Sequence, residues 1–132
     1  MFLKRREPGP KPILDTGYLD RLETHIGVAK MHELLADGLI ELSDRLSHLG
    51  TLAARGDRDG IAKLGHDVVA TAGHLGLTAL SIAAVDMNRA ARREPGADPI
   101  ALVAPVRKLA DPSMQALRAH LDLPEQDEDA PD

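Results

Sequence analysis

The sequence predicts an all-α fold: an antiparallel up-and-down four-helix bundle with a short additional N-terminal helix and a kinked or split last helix. Three observations predict it. Apolar residues recur at spacings of three and four over most of residues 13 to 123, and no period-two alternation persists. Gly, Pro and Asp punctuate the chain at helix-length intervals. The loops between are short, which favours antiparallel neighbours.

Each element follows from its own signals. Asp15 or Thr16 can cap a short first helix bearing Tyr18, Leu19, Leu22 and Ile26, closed by Gly27. Val28, Met31, Leu35, Leu39, Leu42, Leu46, Leu49 and Ala53 form a heptad-like stripe, predicting one long helix from about residue 28 to Arg55, ended by Gly56. Asp57 then caps a third helix through about His74, because its carboxylate can accept unpaired amides of the first turn. Gly76 marks a break. A fourth helix from Thr78 to about Arg93 carries Leu80, Ala84, Met87 and Ala91 on one side, and Glu94-Pro95-Gly96 is a turn signal. Asp98-Pro99 and Asp111-Pro112 both read as cap plus first-position proline, and Pro105 removes an amide between them. A kink or split is therefore expected between Pro99 and Leu121. Ala-rich stripes suit close helix contacts.

At 132 residues, 43% hydrophobic and 28% charged, the chain suits one domain with one core. Without cysteine, it offers no disulfide, thiolate metal site or Cys nucleophile. No signal peptide or membrane span is evident, so a cytoplasmic location is expected. The net charge of -5 divides between a basic segment at residues 1 to 12 and an acidic one at 124 to 132. Both are poor in apolar groups and are expected to be flexible tails around a folded region at 13 to 123. One Tyr, one Phe and no Trp leave little for base stacking, and no dense basic face appears, which argues against nucleic acid.

The third helix carries the functional signal. At 100° per residue, Ile61, Leu64, Val68 and Leu75 gather on one side, while His66, Val69, Ala70 and Gly73 gather almost opposite. The histidine is thus expected to face outward among small side chains. A glycine within a helix costs roughly 1 kcal/mol relative to alanine, and close approach by a partner would explain one at Gly73. The plain alternative for a lone surface histidine is a solvated side chain, and for Gly73 or Gly76 a helix end or bend.

The stretch His66-Asp67-Val68-Val69-Ala70-Thr71-Ala72-Gly73-His74-Leu75-Gly76-Leu77 resembles the core motif of the histidine phosphotransfer family. Members of that family usually follow the phosphorylated histidine with an apolar residue, a lysine and a small residue at the second, third and fourth positions. A glycine comes at the tenth, before a helix bearing Leu. Here those slots hold Val68, Val69, Ala70, Gly76 and then Leu80. Leu14-Asp15 through Gly27-Val28 looks like the family's opening short helix, and Gly56-Asp57 resembles the turn before its histidine helix. The similarity spans about residues 13 to 121, with only His66 to Leu80 distinctive.

The resemblance implies that His66 carries a phosphoryl group between aspartates of response-regulator receiver domains, supplied in the first instance by a (hybrid) sensor histidine kinase. It also implies that the receiver brings the acceptor aspartate, Mg²⁺ and its own lysine, so this chain needs no cofactor. Histidine suits such a role, because an imidazole ordinarily titrates near pH ~6.5 and is largely a neutral nucleophile at pH 7. Phosphoryl transfer asks mainly for in-line positioning and charge neutralisation. Lacking a P-loop or Gly-rich nucleotide fingerprint, the chain is not expected to phosphorylate itself from ATP. It is better described as a transfer intermediate than as an autonomous kinase.

The chain departs from the family where Val69 replaces the lysine. Lys63, one turn before His66 and about 60° round the helix, is the expected substitute cation. Asp67, Val69, Ala70, Gly73 and His74, with Ile82 on the next helix, form the expected partner-binding face, and the molecule is expected to be a monomer. Two other classes remain open. One is an adaptor that binds receivers or other signalling proteins without transfer. The other is a bundle metal site pairing His25 and His32 with His66 or His74, although no Glu-x-x-His pair occurs. His48 and His120 read as ordinary surface positions.

Overall fold

A computed structural model describes residues 11–121. The described chain is all helix: α1 (Thr16–Ile26), α2 (Val28–Leu46), α3 (Leu49–Arg55), α4 (Arg58–His74), α5 (Thr78–Arg93) and α6 (Pro99–Leu121). Most of the proposed tails, 1 to 12 and 124 to 132, lie outside the described residues. Pro12 does not: its carbonyl accepts the Ala79 amide at 3.1 Å, so chain assigned to the first tail is already tied to α5.

The caps set the boundaries. Asp15 accepts the Tyr18 amide at 3.0 Å and Asp57 accepts the Gly60 amide at 2.9 Å, each satisfying a first-turn donor. Gly56 (φ 65°) and Gly76 (φ 75°) close α3 and α4 in the left-handed conformation. At the end of α4 the Leu77 amide reaches back to the Ala72 carbonyl at 2.9 Å, and that of Gly76 to Gly73 at 3.2 Å. This double closure satisfies carbonyls that the helix leaves unpaired.

Continuity differs from expectation in two places: the second helix is interrupted, and of the kink or split expected in the last helix the split is absent. The helix expected from 28 to Arg55 breaks at Ser47 and His48, where the Ser47 hydroxyl donates to the Asp44 carbonyl at 2.6 Å and competes with the helical ladder. The apolar stripe hid this break, because Ser47 (φ -66°, ψ -16°) and His48 (φ -88°, ψ -11°) stay near helical geometry and keep Leu46 and Leu49 both buried. Conversely, α6 runs unsplit through Pro105 and Pro112. Both prolines are exposed, as are Ala101 and Lys108, whose carbonyls lose their intrahelical amides, so water can take those hydrogen bonds. Asp98 does cap the helix, accepting the Ile100 amide at 3.2 Å, whereas Asp111 starts nothing new.

In the packing, α2 and α3 lie against both α4 and α6, α5 lies against α4 and α6, and α1 lies against α2. One core joins them, with Leu19, Leu42, Ile61, Val68, Leu80, Val103, Val106 and Leu117 fully enclosed. Val28, assigned to the core stripe, is instead 69% exposed, because it starts α2 directly after the Gly27 turn. Ile26, at the end of α1, is 37% exposed. Arg58 ties the α5–α6 connection down by donating to the Glu94 and Ala97 carbonyls. Among the described residues, no helix is long and apolar enough to cross a membrane.

Candidate functional site

Two glycines that sequence reasoning passed over hold α4 against its neighbours. A β-carbon on Gly65 would stand 3.1 Å from the Ala84 carbonyl oxygen and from Asn88 of α5, so its absence lets the two backbones close up beside His66. The Asn88 side-chain amide uses that proximity to donate to the Ala62 carbonyl at 2.6 Å. On the other flank, a β-carbon on Gly38 of α2 would collide with a Leu75 methyl group, so Leu75 packs into the space above the α2 backbone.

His66 emerges exposed from α4 between these contacts, with the inward face filled by Ile61, Leu64 and Val68. It lines an open groove between α2 and α4. The α4 wall continues through Asp67, Ala70, Thr71 and His74. The facing wall is Leu34, Asp37, Glu41 and Arg45 of α2. Leu34 is 37% exposed there and gives the groove an apolar lip.

An ion-pair network spans the groove. Glu41 Oε2 accepts from Arg45 Nη2 at 2.8 Å and Nε at 3.2 Å, while Arg45 Nη1 stands 3.2 Å from Asp67 Oδ2, next in sequence to His66. The Thr71 hydroxyl has one proton and two acceptors in range, the Asp67 carbonyl at 3.2 Å and Glu41 Oε2 at 3.4 Å. Hydrogen bonding from Arg45, reinforced by its charge and by Thr71, holds the Glu41 carboxyl below its ordinary value against a smaller opposing desolvation. The same pairing raises the Arg45 guanidinium further, so it stays charged.

The expected site residues divide accordingly. His66, Ala70, Gly73 and His74 are exposed along α4, with Asp67 half-buried beside them. Val69 is less outward than expected: it is half-buried and packs partly against the core, and its carbonyl accepts the Ser81 hydroxyl at 3.2 Å. Helix α4 buries a second flank against α5, which the single apolar stripe did not reveal. Ile82 is 39% exposed on that α5 flank, next to Ser81, whose hydroxyl is 3.8 Å from where a Gly73 β-carbon would be. Lys63 is exposed but lines grooves toward α3 and α5, and His66 lines neither. The cation facing the histidine groove is Arg45, which sequence reasoning missed. Its i,i+4 spacing from Glu41 reads as an ordinary surface pair until α2 and α4 are set side by side.

No family model, curated protein or solved structure matches this chain. No group of three or more His, Asp or Glu side chains capable of holding a metal ion forms among the described residues. His25 points its Nδ1 at the Arg21 carbonyl, 2.8 Å away, and His32 lines a groove with His120 at the opposite side of α2 from His66. The proposed pairing of these histidines with His66 or His74 is thus not formed.

Proposed function

We propose that this protein is a histidine phosphotransfer protein, a four-helix bundle in which α2 with α3, α4, α5 and α6 form the four walls. It relays a phosphoryl group between aspartates of receiver domains through His66. The observation that carries this reading is an exposed imidazole midway along α4, followed on the same face by exposed Ala70 and Gly73. Small side chains beside a nucleophile leave room for a partner's acceptor loop to approach.

In the forward step an imidazole nitrogen lone pair of His66 forms a bond to phosphorus as the P–O bond to the donor aspartate breaks. The carboxylate leaves with that electron pair. The ring keeps its N–H, so the product is a phosphorylated imidazolium whose P–N bond is labile enough to pass the group to a second aspartate. Mg²⁺ belongs to the partner receiver in this reading, and a sensor kinase is the upstream source. The protein acts in the cytoplasm, as a monomer, without nucleic acid.

Val69 favours one second reading. With the family's lysine slot filled by a half-buried valine, the chain would serve as an adaptor that docks receivers without accepting phosphate. One assay separates the two. Incubation with a phosphorylated receiver domain should place acid-labile phosphate on the wild-type chain and none on His66→Gln. Stable receiver binding with no such phosphate would instead support the adaptor.

A further inference from the structure

A phosphoryl group on His66 brings negative charge into a groove that already holds the carboxylates of Asp37, Glu41 and Asp67. Unless a cation meets it, that charge is repelled by carboxylates on both walls. Lys63 lines other grooves, and the residue at the lysine slot is Val69. Among the described residues, Arg45 is the one guanidinium that lines the histidine groove. Its Nε and Nη2 are committed to Glu41 and one Nη1 proton to Asp67. Of the five N–H donors of an arginine, two remain uncommitted.

We propose, resting on phosphoryl transfer through His66, that Arg45 of α2 binds the phosphoryl oxygens, and that Glu41 and Asp67 hold it in the groove as competing acceptors. Glu41 aligns the guanidinium through the side-on pair of Nε and Nη2. Asp67 is the partner that yields, because a phosphoryl group on its neighbour His66 offers a stronger acceptor for the same Nη1. The cation that sequence logic sought on α4 thus comes from across the groove. Guanidinium geometry suits the role, since planar paired donors match tetrahedral phosphoryl oxygens.

Phosphoramidate, a small donor that needs no partner protein, tests this on the full chain. The His66 imidazole attacks phosphorus, and the P–N bond of the reagent breaks with release of ammonia. Loss of a charge-assisted hydrogen bond predicts roughly tenfold slower phosphorylation of His66 in Arg45→Ala, with partial rescue by Arg45→Lys. Asp67→Asn should accelerate it. Phosphorus NMR adds a readout that a scaffolding role would not move: a neighbouring guanidinium favours the dianion, so the phosphohistidine should titrate at lower pH in wild type than in Arg45→Ala. An unchanged rate and midpoint in a folded Arg45→Ala protein overturns the role of Arg45 alone. Failure of wild-type His66 to take phosphate overturns the relay and this inference together.

Discussion

At Gly73 the demands of the fold and of the proposed contact face can be told apart. A β-carbon there would meet only the Ser81 hydroxyl, at an ordinary 3.8 Å, so nothing within the described chain requires a glycine. By contrast, Gly38 and Gly65 would drive a β-carbon into Leu75 and into the α5 backbone. Gly73→Ala should therefore raise stability, by up to about 1 kcal/mol in denaturant titration, because alanine is the better helix former. If a partner closes on this face, the same variant should transfer phosphate more slowly. Equal transfer with raised stability would mean that the glycine serves neither end. Of the site residues, His66, Ala70 and Gly73 were legible because helical periodicity alone turns them outward. Arg45 was not, since its meaning depends on Asp67 lying opposite, which only the register of α2 against α4 decides.

Among the elements, α6 is where local chemistry and tertiary context part. Proline inside a helix costs about 3 kcal/mol in an isolated segment, yet Pro105 and Pro112 both sit within the Pro99–Leu121 helix. Their spacing of seven residues puts both on one face, and that face is solvent. Pro105→Ala should restore the amide and stabilise the fold, with thermal unfolding shifted upward by several degrees; a downward shift would mean that the ring makes a packing contact worth more than the hydrogen bond. Local signals marked the starts of α1 and α4 through Asp15 and Asp57, and their ends through Gly27 and Gly76. They missed the α2–α3 break, because a serine turn with near-helical dihedrals leaves hydrophobic periodicity undisturbed.

Across the whole molecule, the groove network couples stability to pH. Glu41 is held below the usual glutamate range by Arg45, so between its folded value and about 4.3 the unfolded chain binds more protons than the folded one. Its contribution is therefore full above that range and is lost as pH falls through the folded value. Glu41 is about half exposed, with side-chain accessibility of 52%, so solvent screening keeps the effect to under about 1 kcal/mol. Glu41→Gln should consequently flatten the acid limb of a stability-against-pH curve, while leaving the slope above pH 6 unaltered. A parallel displacement of the whole curve would assign Glu41 a packing role instead.

The position of His66 along its helix has a consequence for how anything reaches it. Residue 66 lies eight positions from Arg58 and eight from His74, which at 1.5 Å per residue is about 12 Å from either tip. Both tips are clamped, by Asp57 at one and by the Gly76 closure at the other, where the Tyr18 hydroxyl also donates to the His74 carbonyl at 3.0 Å. These contacts fix the ends of α4 and hold the imidazole away from either edge. A partner that engages the imidazole must come broadside, and because the furrow beside it has no roof, the proposed exchange would need a lid carried by that partner.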